Sequence, residues 1–262
     1  MKWLAVVAAL IAGPVAACGE QTDCVVGDRT YRIAGAENAS NGALIFAHGY
    51  RGSAAGVMRN GALKAVADDF GLALIAFNGV NGSWQLPNRP RNRAMTGAAE
   101  FSYAENVLAD AQARFGLDAS RVVMSGFSAG GMLTWNLACA RPDLFAGFVP
   151  MSGTFWDPVP ETCAGPVASI VHIHGDADGT VPLAGRVIAD SKQGEVLEAM
   201  AMYARIGGFS QAVAMNVAPD LACRVSLNDA GNVLNICMFA GGHGFGTGRL
   251  RAGLEMLGFE AR

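Results

Sequence analysis

Val122-Val123-Met124-Ser125-Gly126-Phe127-Ser128-Ala129-Gly130-Gly131-Met132-Leu133 is the stretch from which the rest of the chain is read. Its first half is a short apolar run with adjacent valines, the pattern of a buried strand. Its second half continues into Thr134-Trp135-Asn136-Leu137-Ala138 and reads as a helix. Between the two stands Gly126-x-Ser128-x-Gly130. A serine on a sharp strand-to-helix turn needs neighbours without a Cβ. A side chain at Gly126 or Gly130 would meet the next strand, or the backbone as it doubles back. Such a turn lifts the Ser128 hydroxyl clear of the sheet, with the helix N-terminus beneath it. Gly, Ser and Ala are common in ordinary turns, so the motif gains chemical meaning only from its context.

The composition limits that context. A chain of 262 residues is sized for one large α/β domain. It is 52% hydrophobic and 16% charged, with 34 glycines, which suits a large buried core with many tight loops. A net charge of −3 gives no electrostatic case for nucleic acid. Lys2, the apolar residues 4–11 and the small residues Val15-Ala16-Ala17 read as a secretory signal peptide over residues 1–17. Residues 18–262 are then a single domain of a secreted or periplasmic protein. Val15-Ala16-Ala17-Cys18 also resembles a bacterial lipobox, which would make the chain a lipoprotein anchored through Cys18. The cysteines are Cys18, Cys24, Cys139, Cys163, Cys223 and Cys237. An even number in an exported chain favours disulfides, whereas a lipidated Cys18 would leave one odd thiol. Cys223 and Cys237 flank a predicted hairpin turn, and Cys18 and Cys24 enclose a short loop. That leaves Cys139 for Cys163.

Along the chain, residues 24–26 and 29–33 read as strands joined by Gly27-Asp28, a hairpin dipeptide. Residues 43–47 are an apolar strand ending in His48-Gly49-Tyr50-Arg51-Gly52-Ser53, where backbone N–H groups can approach a ligand. Residues 56–70 read as a helix and 72–77 as a strand. From 78 to 97 periodicity is lost. Trp84 in this loop either lines a substrate cleft or pins the loop, and Arg89, Arg91 and Arg93 read as a solvated rim. The loop leaves the carboxyl end of a strand, the edge where open α/β sheets bind ligands. Residues 98–115 form the next helix, and Trp135 reads as core. After a strand at 148–153, Trp156 leaves the same sheet edge and is a second candidate for the cleft wall. The strand at 168–173 opens into His174-Gly175-Asp176-Ala177-Asp178-Gly179-Thr180-Val181-Pro182, where Asp176 and Asp178 either shape a turn or supply an acid. A helix at 195–206 and a hairpin from 223 to 237 lead to Gly241-Gly242-His243-Gly244-Phe245 and a final helix. Glycines on both sides of His243 let the backbone loop tightly and hold the ring over the sheet. Coming after the serine turn and the acid loop, His243 is the candidate general base. His48 and His174, in His-Gly pairs at strand ends, read as structural, and no metal is implied.

Four pieces together resemble the secreted polyhydroxybutyrate depolymerase, feruloyl esterase and acetylxylan esterase group of α/β-hydrolases. They are His48-Gly49 with its loop, Gly126-Phe127-Ser128-Ala129-Gly130-Gly131-Met132, His174-Gly175-x-x-Asp178-x-x-Val181-Pro182, and Gly241-Gly242-His243. The resemblance runs from about Tyr31 to the end. It implies an α/β-hydrolase fold, with a mostly parallel central sheet and helices on both faces, and a triad in the order Ser, Asp, His. In the group's pattern the acid stands three residues before Val-Pro, which is Asp178, with Asp176 as the alternative. The N–H groups of Tyr50 and Ala129 are the expected oxyanion donors. The implied activity is serine-dependent hydrolysis of carboxylic esters through an acyl-enzyme, without a cofactor. Relatives often carry tryptophan and proline soon after the histidine. Here Gly244-Phe245-Gly246 follows, which bears on the cleft wall and hence on the ester. A hydroxyalkanoate oligomer, a feruloyl or acetyl ester and a small metabolite all remain open, with soluble oligomers or small esters expected over insoluble polymer. A serine peptidase would use the same triad, and a non-catalytic binding protein would keep only the scaffold. No nucleic-acid partner is expected, and no membrane contact unless Cys18 is lipidated.

Overall fold

The computed structural model describes residues 18–262, so the expected signal peptide lies outside the described residues. The apolar runs become strands of a ten-stranded sheet. In chain order these are β1 (Cys24–Val26), β2 (Arg29–Ala34), β3 (Ala43–Ala47), β4 (Ala73–Phe77), β5 (Val122–Phe127), β6 (Gly147–Met151) and β7 (Ile170–Gly175). A separate small hairpin follows, β8 (Val187–Ile188) and β9 (Ser191–Lys192), and then β10 (Val213–Ala218), β11 (Leu221–Val225) and β12 (Leu234–Phe239) complete the large sheet. Its order is β1-β2-β4-β3-β5-β6-β7-β12-β11-β10. The strands from β4 through β12 in that order run parallel, and antiparallel pairs close both edges.

Among the described residues six α-helices cover the sheet: α1 (Ala54–Met58), α2 (Gly61–Asp69), α3 (Ala98–Phe115), α4 (Ala129–Ala140), α5 (Val196–Gly207) and α6 (Thr247–Met256). Alternate residues of each central strand face opposite helix layers. On β3, Ala43, Ile45 and Ala47 join the apolar cluster of α3, α4 and α5, whereas Leu44 and Phe46 join that of α1, α2 and α6. Burial on both faces is why these strands read as unbroken apolar runs. The expected helix at 56–70 is instead two helices. Asn60 breaks it, because its side chain accepts the Leu63 N–H at 3.1 Å and starts α2 afresh. The sequence reading missed β8, β9 and β10.

The cysteines are joined as Cys18–Cys24, Cys139–Cys163 and Cys223–Cys237. Cys223 and Cys237 stand directly opposite in the β11–β12 ladder. Cys139, near the end of α4, is tied to the segment between β6 and β7. That bridge fastens the helix that begins at Ala129 to the chain that leads into the Asp176-Asp178 loop.

Candidate active site

β5 ends at Phe127 and α4 begins at Ala129, so Ser128 alone turns the chain. Its backbone sits at φ 58° and ψ −118°. A positive φ of this kind costs a non-glycine residue about 1–3 kcal/mol and persists only where the surroundings impose it. The surroundings here are backbone. A Cβ on Gly130 would stand 2.0 Å from the Ala47 oxygen, and one on Gly126 would stand 2.4 Å from the Gly130 oxygen. The Ser128 N–H donates to Met151 O at 2.9 Å, which ties the turn to the end of β6.

Two loops meet this turn. His243 Nε2 lies 2.9 Å from Ser128 Oγ, and its Nδ1 lies 2.8 Å from Asp178 Oδ2. With the imidazole proton on Nδ1, the ring donates to Asp178 and accepts from the serine hydroxyl. The other Asp178 oxygen accepts the Thr180 and Val181 N–H groups, each at 2.8 Å. Burial opposes the charge on Asp178, but the hydrogen bonds from His243, Val181 and Thr180 outweigh it and hold the carboxyl below its ordinary value. Asp176 faces elsewhere. Its Oδ1 accepts the Gly241 N–H at 2.9 Å, while the Ala177 N–H donates back to Gly241 O at 2.9 Å. Asp176 therefore shapes the loop that carries His243. On the far side of that loop Ser152 Oγ donates to Gly244 O at 3.1 Å. Phe127 packs on the imidazole with centroids 4.7 Å apart. Phe245 packs on Phe127 and Phe46, so the residue that departs from the group's pattern lies behind the histidine and outside the main cleft lining.

A buried line of donors steadies the acid loop. Trp135 Nε1–H donates to His172 Nδ1 at 3.1 Å, His172 Nε2 lies 2.9 Å from His174 Nδ1, and His174 Nε2 lies 2.8 Å from Val181 O. An indole can only donate, so the direction of the line is set from Trp135 onward and each imidazole carries its proton on Nε2. His174 Nε2 is also 3.4 Å from Asp178 Oδ2, but its one proton goes to the nearer Val181 oxygen. Burial, with the neighbouring His174, keeps the His172 pKa well below its ordinary value; burial also lowers that of His174.

The loop after β3 runs beside the serine. A Cβ on Gly49 would be 3.5 Å from Ser128 Cβ. Among the described residues neither the Tyr50 nor the Ala129 N–H has an acceptor. His48 fixes the loop: its Nδ1–H donates to Gly49 O at 2.8 Å and its Nε2 accepts the Gly79 N–H at 3.0 Å. Trp84, buried, donates from Nε1 to His48 O at 2.9 Å and packs against the His48 ring. It also lines the cleft. Trp84 thus pins the loop through a specific hydrogen bond and also lies at the cleft.

The cleft beside Ser128 has a volume of about 390 Å³ and is walled by Trp84 and Trp156. Its outer wall comes from the β8–β9 hairpin, which supplies Arg186, Ile188 and Gln193 at or beside its strands. The sequence reading singled out none of these. Strands of two residues leave no period to detect, and contacts with distant segments, among them the pairing of Trp156 with Gln193, bring the hairpin to the cleft. Arg89 and Arg91, read as a solvated rim, line the cleft as well, whereas Arg93 stays outside and donates to Asp190 O at 3.4 Å.

The family model for phospholipases and carboxylesterases matches residues 88–205. A protein of Nocardia uniformis subsp. tsuyamanensis with the provisional name esterase NocK is 34% identical over 139 residues, 53% of this chain and 40% of that protein. One from Aspergillus clavatus, provisionally named feruloyl esterase C, is 31% identical over 116 residues, 43% of this chain and 38% of that protein. The chain thus spans about two fifths of the length of these curated relatives. The acetyl xylan esterase of Aspergillus awamori superposes with a TM-score of 0.63 at 17% identity, covering 89% of this chain and 95% of that one. At that identity the likeness speaks to the fold.

Proposed function

We propose that this chain, whose fold is that of the α/β-hydrolases, is a serine hydrolase of carboxylic esters. The observation that carries the reading is the unbroken hydrogen-bonded line from Asp178 through His243 to Ser128. Ser128 Oγ attacks the ester carbonyl while His243 Nε2 takes its proton. Asp178 holds the Nδ1–H tautomer and stabilises the imidazolium that forms. The N–H groups of Ala129 and Tyr50 receive the oxyanion, where one such donor is worth about 100-fold or more in turnover. His243 then protonates the leaving alcohol, and water repeats the cycle on the acyl-enzyme. The relatives named for esterases support the same chemistry.

Purified protein assayed on p-nitrophenyl acetate and on p-nitroacetanilide tests this. The ester is expected to turn over and the anilide to be essentially inert. Comparable rates on both would mark a peptidase, and no turnover of either would mark a binding protein on this scaffold. Residues 18–262 act as one catalytic domain in this reading, on a hydroxyalkanoate oligomer, a feruloyl or acetyl ester, or a small metabolite ester. The three disulfides fit an oxidising, exported setting, and the Cys18–Cys24 bridge supports the disulfide-bonded form over one lipidated at Cys18. Among the described residues no helix is long and apolar enough to cross a membrane.

A further inference from the structure

The cleft beside Ser128 has a charge character that ester hydrolysis by itself does not require. Its lining includes Arg89, Arg91 and Arg186 and no aspartate or glutamate. The chain as a whole carries a net charge of −3, so this concentration of positive charge runs against the overall balance. Of the described arginines elsewhere, Arg29, Arg32, Arg114, Arg141, Arg249 and Arg251 pair with a carboxylate, whereas others on the surface, such as Arg224, do not. Among the described residues none of the three cleft arginines does. Asp190, on the adjoining hairpin, accepts the Arg91 backbone N–H at 2.7 Å, and that bond, with the charges of the nearby Arg93 and Arg91, lowers its pKa, but it is not part of the lining.

One of the three guanidiniums, that of the exposed Arg186, is held by the wall. Arg186 Nε–H donates to Thr180 O at 2.7 Å, and Gln193 Nε2 donates to the same oxygen at 3.2 Å. That bond orients one edge of the Arg186 guanidinium, and among the described residues nothing accepts from its terminal N–H groups. Arg89 is half-buried without an ionic partner. Gln193 adds an unpartnered acceptor to the same wall, one that a donor other than the carboxylate has to fill. Its Oε1 is buried in the cleft wall with no hydrogen-bond partner, a state that costs about 1–3 kcal/mol unless a bound molecule or water donates to it.

We propose that the cleft selects esters that carry an ionised carboxylate, on either the acyl or the alcohol side, with the anion lying against Arg89, Arg91 and Arg186. This rests on the esterase reading above. A guanidinium meets a carboxylate as a planar fork, and positive charge focused in a cleft with apolar walls raises the local concentration of anionic substrate. The effect belongs in KM, because the anion is held equally before and during attack on the ester carbonyl.

Steady-state kinetics at neutral pH on matched ester pairs test it. Methyl hydrogen succinate against dimethyl succinate places the anion on the acyl side. Acetoxyacetate against its methyl ester places it on the alcohol side. In at least one pair the anionic ester is expected to show a KM about tenfold lower than its neutral partner. In Arg89→Gln and Arg186→Gln that ratio should move toward one. Arg224→Gln, an equal charge change on the exposed face of β11, should keep it. Turnover of the neutral esters with no anionic preference in either pair, or a preference that survives both arginine variants, overturns the proposal and leaves the esterase reading standing. No turnover of any ester overturns both.

Discussion

Ser128→Ala is expected to remove ester turnover by about a millionfold while the protein stays folded. The substitution deletes one oxygen and leaves the Cβ where it is, so neither the turn at φ 58° nor the packing of Gly126 and Gly130 against Ala47 is disturbed. What is lost is the atom that lies 2.9 Å from His243 Nε2. His243→Ala should cost a similar factor, because a serine hydroxyl with no base is a poor nucleophile. The Ser128/His243 double variant should then lose little more than either single variant, since each change alone already disables the unit. Turnover of a p-nitrophenyl ester, with circular dichroism to confirm folding, is the measurement. Substantial turnover by folded Ser128→Ala would place the nucleophile elsewhere, and losses that simply multiply would mean that the two residues do not act together.

Asp178→Asn should cost about ten-thousandfold, and the structure gives the reason in single atoms. One Asp178 oxygen accepts the N–H groups of both Thr180 and Val181, and the other accepts from His243. An asparagine must keep its oxygen toward the two N–H donors, which turns its NH₂ toward His243 Nδ1. Two donors then face each other. The imidazole relieves this by moving its proton to Nε2, where it can no longer accept from Ser128. Asp176→Asn has no such consequence, because its Oδ1 only accepts from the Gly241 N–H and an amide oxygen does the same. Its turnover should stay within about tenfold of the parent, the worth of one net hydrogen bond. If Asp176→Asn proved the crippling variant and Asp178→Asn the mild one, the acid would have to be reassigned.

What could be read from the chain alone follows from where the information sits. The central strands declare themselves because burial on both faces demands continuous apolar residues such as Ala43-Leu44-Ile45-Phe46-Ala47. The serine turn declares itself because only glycine fits where Ala47 O approaches Gly130. Ser128, the Asp176-Asp178 loop and His243 meet because β5, β7 and β12 run parallel and end at one edge of the sheet. The choice between two aspartates two residues apart depends on which carboxylate the Gly241 and Val181 N–H groups claim, and that is a contact between distant segments. The β8–β9 wall has the same origin. It is held by Ser191 Oγ on Asn88 O and by the Arg91 N–H on Asp190, about a hundred residues apart, so no local pattern marks it. The edge strand β10 is Val-Ala-Met-Asn-Val-Ala with no face clearly buried, and it carries no alternation to detect.

The imidazoles behind the site also set how the protein meets acid. His48, His172 and His174 are all buried, and burial is the leading cause holding each below its ordinary value of 6.5. In the unfolded chain each takes up a proton near that value, whereas in the folded chain each resists it. Below 6.5 the unfolded state therefore binds more protons, and stability falls as the pH is lowered until the folded value of each ring is reached. Above that range the contribution is fully present. A protonated His48 loses its acceptor for the Gly79 N–H, and a protonated His174 loses its acceptor for His172, so charging either ring loosens the loop it supports. Acid therefore attacks the frame that positions the chemistry, and the urea midpoint should decline as the buffer is taken from neutral toward about pH 5.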